Sequence, residues 1–114
     1  MARRLDVVFA EIDQAIAGIT EATQGKSFEE FSESWVLRHA VQRGIEIISE
    51  ATRHVPDELL ATCPGIPWPS IRAIGNLLRH EYHRIADAVI WAVVTDDLPA
   101  LQQALATIRR NLNV

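Results

Sequence analysis

"SIRAIGNLLRHEYHRIADAVIWAVV", residues 70–94, is the stretch on which the fold turns. With the 3.6-residue period, Ile74, Leu77, Leu78, Ile85 and Ala88 fall on one side of a helix. Arg72, Asn76, Arg79, His80 and His83 fall on the other, in a stripe roughly 100° wide. The spacing predicts a long amphipathic helix over residues 69–94 whose apolar side faces a core. Pro69 suits its first turn, where the missing amide costs nothing. Glu81 lands among the apolar positions and asks for a cation, which Arg38 or Arg43 on the preceding helix could supply. Tyr82 lies at the edge of the apolar side.

Working outward, the remaining segments also read as helices. Leu5, Val8, Phe9, Ile12, Ile16 and Ile19 keep helical spacing, and Gly25 marks a stop. Ser27, with Glu30 three residues on, has the form of a capping box. It opens a second long helix over residues 28–55 that turns Phe31, Trp35, Val41, Ile45, Ile48 and Val55 inward and stops before Pro56. "VPDELLATCPGIPWPS", residues 55–70, holds four prolines and a glycine and reads as a connector, with one short extra helical turn at "DELL". Around "TDDLPA", residues 95–100, Asp96 or Asp97 can cap a new helix with Pro99 in its first turn. That last helix carries Leu98, Leu101, Leu105, Ile108 and Leu112. No segment alternates as a strand does. The expectation is an all-α, up-and-down bundle of four main helices, forming one domain over residues 1–114.

Composition narrows the function. The chain has 114 residues, 48% of them apolar, which is enough for a real core. Net charge is −4, so general electrostatic binding to nucleic acid is disfavoured and any basic patch must be concentrated. Cys63 is the sole cysteine, which rules out a disulfide framework and a cysteine metal knuckle. No apolar run reaches the length needed to span a bilayer. Acidic residues interrupt the apolar positions of "MARRLDVVFAEID", unlike a signal peptide, and a cytoplasmic location is expected.

The polar stripe concentrates the chemistry. Two of the four histidines lie within four residues, at positions 80 and 83. "HEYH" lacks the H-E-x-x-H geometry of a zinc helix, and no further His or Cys stands at a ligand spacing. A serine or cysteine nucleophile beside a base is absent, as is a phosphate-cradling glycine loop. What fits is chemistry on a phosphodiester. A histidine moves a proton near neutral pH, an arginine holds phosphate and its transition-state charge, and an amide orients either. RNA brings its own nucleophile, the 2′-hydroxyl, and needs neither an enzyme nucleophile nor a metal. A solvated helix face is the plain alternative.

"AVQRGIEIISEATRHVPDELL", residues 40–60, followed by "IPWPSIRAIGNLLRHEYHRIADAVIW", residues 66–91, resembles the HepT-type branch of the HEPN superfamily. The resemblance covers nearly the whole chain, and its most specific part is the spacing of Asn76, His80 and Tyr82, with Trp68 at the helix start and "EIISEA" upstream. It implies a helical homodimer and a toxin ribonuclease of a toxin–antitoxin pair that cleaves RNA without metal or cofactor. It implies a partner of the MNT-type nucleotidyltransferase class, the antitoxin, which in some pairs adds AMP to the motif tyrosine, here Tyr82. The motif histidine is His80 and the motif asparagine is Asn76. The motif arginine should stand just before that asparagine, where this chain has Gly75. Arg79, beside His80, or Arg72, one turn before Asn76, is the candidate replacement. A glycine there also allows close helix approach, which a dimer interface could exploit.

Two readings of different class follow. The first is a ribonuclease with His80 as acid or base, Arg79 or Arg72 on phosphate, and Asn76 positioning. The second is a catalytically degenerate dimer that serves only to bind a nucleotidyltransferase. A helical dimer holding a nucleotide in its cleft is a weaker third.

Overall fold

A computed structural model describes residues 4–81, 83 and 85–112. Helix α1, Leu5–Thr23, buries Val8, Phe9, Ile12, Ile16 and Ile19 on the expected stripe. Gly25, at φ 74°, then turns the chain through the left-handed region that glycine enters without penalty. The capping box forms. The Ser27 hydroxyl accepts from the Glu30 amide at 3.1 Å, and the Ser27 amide donates to the Glu30 carboxylate at 2.9 Å.

The long second helix of the sequence reading is two helices, α2 (Phe28–Glu33) and α3 (Trp35–Thr52). Ser34 makes the break. Its backbone is extended, at φ −99° and ψ 110°, its amide donates to Phe31 O, and its hydroxyl caps α3 by accepting from Leu37 N. Serine competes in this way wherever its oxygen can reach a free amide. The bend turns Trp35 out of the core, where the spacing had placed it: the side chain is 65% exposed. Phe31, Val41, Ile45, Ile48 and Val55 are buried as expected.

"DELL" forms the one-turn helix α4, Asp57–Leu60. The connector after it is pinned by Trp68, whose indole N–H donates to Leu60 O at 2.9 Å and to Cys63 O at 3.1 Å. Helix α5 runs over Trp68–Glu81, and α6 starts only at Asp87, with Ala86 extended before it. The helix expected to reach residue 94 therefore ends at Glu81. Ser32 on α2 donates to the Asp87 carboxylate at 3.0 Å, and Phe31 packs on Trp91 with ring centroids 5.0 Å apart, which fixes where the next helix begins. Leu77 and Ala88, read as core positions, are exposed, whereas Leu78 is buried and Ile74 and Ile85 pack against the core.

The new start expected at residues 95–100 does not occur either. Helix α6 (Asp87–Ala92), a π-helical turn (Val93–Asp97) and α7 (Leu98–Leu112) are continuous. The Leu98 amide donates to Val93 O, five residues back. Pro99 accounts for this, because its ring has no N–H and crowds the carbonyl four residues before it. Widening the preceding turn seats the proline without breaking the helix. Asp96 and Asp97 therefore cap nothing new.

The described residues contain no strand, and four long helical runs form the all-α bundle. Helix α3 is central and packs on α1 and α5. Gly44 gives the first contact its closeness, since a Cβ there would stand 2.6 Å from Ile19 Cδ1. Helix α7 closes on α1 through an Arg109–Asp13 ion pair, with the guanidinium over the Phe9 ring. Leu98, Leu101, Leu105 and Ile108 are buried along the same helix. Each fully buried side chain of this size contributes about 1.5–3 kcal/mol of transfer free energy.

Candidate functional site

Helices α3 and α5 run antiparallel. Moving forward along α5, its partners on α3 move backward: Arg72 meets Thr52, Gly75 meets Ser49, and Arg79 meets Glu46. This pairing determines what each polar residue of the motif helix can reach.

Arg72 is fully engaged. Its Nε and Nη2 donate to Thr52 O at 3.3 and 3.1 Å, Nη2 donates to Val55 O at 2.8 Å, and Nη1 pairs with the Asp57 carboxylate at 2.7 Å. Carbonyls at the C-terminal end of a helix lack intrahelical partners and carry partial negative charge. Arg72 satisfies those at the end of α3 and ties them to α4. Arg53 reaches back, donating to Arg72 O at 3.3–3.4 Å.

Gly75 is buried against Ser49. The Ser49 hydroxyl accepts from the Gly75 amide at 3.1 Å and donates to Arg72 O at 3.0 Å. A Cβ at Gly75 would lie 2.6 Å from both Ser49 Cβ and Oγ. The close approach that this glycine allows is thus made to α3 of the same chain. No longer side chain fits there, and the position of the expected motif arginine is a packing point.

One turn further on, Glu46 Oε1 lies 3.7 Å from Arg79 Nε and 4.0 Å from Arg43 Nη1. The Glu46 side chain is only 16% exposed and that of Arg79 is 50% exposed, so the carboxylate is the fixed member of the group. Asn76, Arg79, Gly75, Glu46, Ser49 and Arg53 enclose a polar notch of about 20 Å³. That is room for about one water molecule. His80, in the last turn of α5, and His83, beyond the end of that helix, are exposed and outside the notch lining. Glu81 is half-buried. Tyr82 lies outside the described residues.

The structure therefore brings Asn76 and Arg79 together and leaves His80 open beside them. It places Arg72 more than a turn away from that group. Glu46 and Ser49 were missed by residue-by-residue reasoning, although both belong to the "EIISEA" phrase, residues 46–51. Among the described residues, no cluster of three or more His, Cys, Asp or Glu could hold a metal, and no helix is long and apolar enough to cross a membrane.

Residues 12–108 match the family model described as "Ribonuclease HepT-like". The chain belongs to the HepT-like ribonuclease family. It is 32% identical to the probable ribonuclease HepT of Thermococcus cleftensis over 100 residues, covering 88% of this chain and 91% of that one. It is 29% identical over 93 residues to a candidate RNase of Methanocaldococcus jannaschii, covering 82% and 85%. A candidate RNase of Caldanaerobacter subterraneus subsp. tengcongensis is 32% identical over 90 residues, covering 79% and 80%. No solved structure matches the chain. The HepT-like match spans α1 to α7, including the α3–α5 pairing that builds the notch.

Proposed function

We propose that this HepT-like chain is the toxin ribonuclease of a toxin–antitoxin pair, acting as a homodimer whose two motif helices share one RNA-cutting cleft. The observation that carries the reading is the grouping of Asn76 and Arg79 around the Glu46 carboxylate, with His80 exposed beside them. Family membership and relatives that bear ribonuclease names support it.

The chemistry uses the substrate's own nucleophile. A base removes the proton of the RNA 2′-hydroxyl, and the oxygen attacks the adjacent phosphorus. The P–O5′ bond breaks, and the departing oxygen takes a proton. The products are a 2′,3′-cyclic phosphate and a 5′-hydroxyl, and no metal is required. His80 moves the proton. Arg79 neutralises the charge that builds on the phosphoryl oxygens. Glu46 holds the arginine, and Asn76 orients phosphate or histidine. Arg79 is preferred to Arg72 for the phosphate, because the Arg72 guanidinium is taken up by Thr52, Val55 and Asp57. The partner is a nucleotidyltransferase antitoxin of the MNT type, and AMP placed on Tyr82, two positions after His80 in the chain, would add negative charge to the motif and repel RNA.

One observation favours a second reading. Gly75 leaves the usual arginine position without charge and is packed so that none can be restored. The chain would then be a degenerate dimer that only binds the nucleotidyltransferase. Purified protein incubated with total RNA in EDTA, beside a His80→Ala control, separates the two. The expected result is cleavage that the control reduces by about 10²–10⁴. An intact RNA pool in both samples rejects the ribonuclease reading.

A further inference from the structure

Trp35 is 65% exposed at the first residue of α3, an unusual place for a ring of this size in a small bundle. It is not a loose side chain. The His39 ring, one turn later, stacks on it with centroids 4.1 Å apart and planes at 25°. His39 Nδ1 lies 2.7 Å from Trp35 O. A carbonyl oxygen can only accept, so Nδ1 carries the proton in that contact, and the bond clamps the imidazole over the indole. The result is a rigid two-ring slab.

The position of this slab gives it meaning. Trp35, His39 and Arg43 follow one another at i, i+4 and i+8, forming one ridge of α3. Arg43 then meets Glu46, which meets Arg79. The Arg43–Glu46 contact joins this ridge to the notch, so one flank of α3 carries a cation, an imidazole and an indole leading away from it. His39 is seven residues from Glu46 and Trp35 eleven, roughly 10 and 16 Å along the helix. Flat aromatic faces beside exposed cations are what single-stranded nucleic acid uses, since every base has a π-face and every linkage a charge.

We propose that the Trp35–His39 pair is a nucleobase-stacking platform that takes an RNA base on the same strand a nucleotide or more away from the scissile phosphate, with Arg43 on the intervening backbone. The inference rests on the ribonuclease reading for its substrate class. Exposed Val36 beside Trp35 would also suit a contact between two copies of the chain. The polar imidazole edge, the neighbouring arginine and the continuity with the notch favour RNA.

The test is binding of a short fluorescein-labelled oligoadenylate by fluorescence anisotropy. It uses His80→Ala protein, so that the probe is not cut, with and without Trp35→Ala or Trp35→Phe. Trp35→Ala should weaken binding about tenfold or more, Trp35→Phe should retain most of it, and the salt dependence should keep its slope, because stacking releases no counterions. Equal affinity in Trp35→Ala, or no binding by the parent protein, overturns the platform. So does a change of oligomeric state in Trp35→Ala on gel filtration, which would make the patch a chain–chain contact. RNA cleavage by the native sequence is measured separately. Cleavage with Trp35-independent binding sinks the platform alone, whereas Trp35-dependent binding without cleavage sinks the ribonuclease reading alone.

Discussion

The amide of Gly75 donates to the hydroxyl of Ser49 at 3.1 Å, at a crossing where even a methyl group on Gly75 would lie 2.6 Å from that oxygen. The α3–α5 pairing is therefore set by a residue that, read along the chain, looks like a gap in a catalytic motif. Gly75→Ala should cost about 1–3 kcal/mol through overpacking, despite the better helix propensity of alanine. Ser49→Gly should relieve part of this, so the double variant should be more stable than the sum of the single effects by about 0.5 kcal/mol or more. Urea unfolding of the four proteins checks it, and strict additivity would show that the contact does not couple the helices. Gly75→Arg, which writes in the expected motif arginine, should unfold the chain and should not activate it.

The two candidate arginines should separate by phenotype. Arg72→Ala removes the bonds to Thr52 O, Val55 O and Asp57 and should lower stability by about 1–3 kcal/mol. Arg79→Ala gives up one 3.7 Å contact at a half-exposed site and should change stability by less than about 0.5 kcal/mol. It should instead lower RNA cleavage by about 10²–10³. Thermal melts beside a cleavage assay decide the point. An Arg79→Ala protein that cuts at the native rate removes Arg79 from the site.

The capping box carries a pH signature. The Ser27 amide, then the Ser27 hydroxyl and the charge of Lys26, hold the Glu30 carboxyl below its ordinary pKa. Because the folded value lies below the unfolded one, the carboxylate's contribution is present at neutral pH. It fades as pH falls through the folded-state pKa. Glu30→Gln should melt below the native protein at about pH 6, and the gap should close toward about pH 3. A gap that stays constant over this range would show that the charge plays no part in the cap.

The sequence announces those elements whose signal is local. The α1 stripe, the Ser27–Glu30 box, the turn at "DELL" and the Leu98–Ile108 face all depend on neighbours within a turn or two, and all form as read. The breaks at Ser34 and after Glu81 were hidden, because apolar spacing continues across them: the first is made by the Ser34 hydroxyl capping Leu37 N, a bond periodicity does not register, and the second goes with contacts far along the chain, Ser32 bonding Asp87 and Phe31 packing on Trp91. Pro99 gives a true signal with two outcomes, a new helix or a widened turn, and periodicity cannot choose between them. At the candidate site, Asn76, Arg79 and His80 were legible as one stripe of a helix. Glu46 was not, because only the antiparallel pairing of α3 and α5 places a carboxylate beside Arg79. The engagement of Arg72 was hidden for the same reason, since its partners are main-chain oxygens that carry no letter in the sequence.

The widened turn at Val93–Asp97 holds one residue more than a regular α-helix would use over the same rise. A surplus residue stored in this way rotates the second helix by about 100° relative to an uninterrupted one, and Ile90 and Leu101 are both buried on either side of it. A one-residue deletion between positions 93 and 97 should therefore return the turn to regular width and set the Pro99 ring against the carbonyl four residues before it, so the deletion should destabilise the helix rather than pass unnoticed.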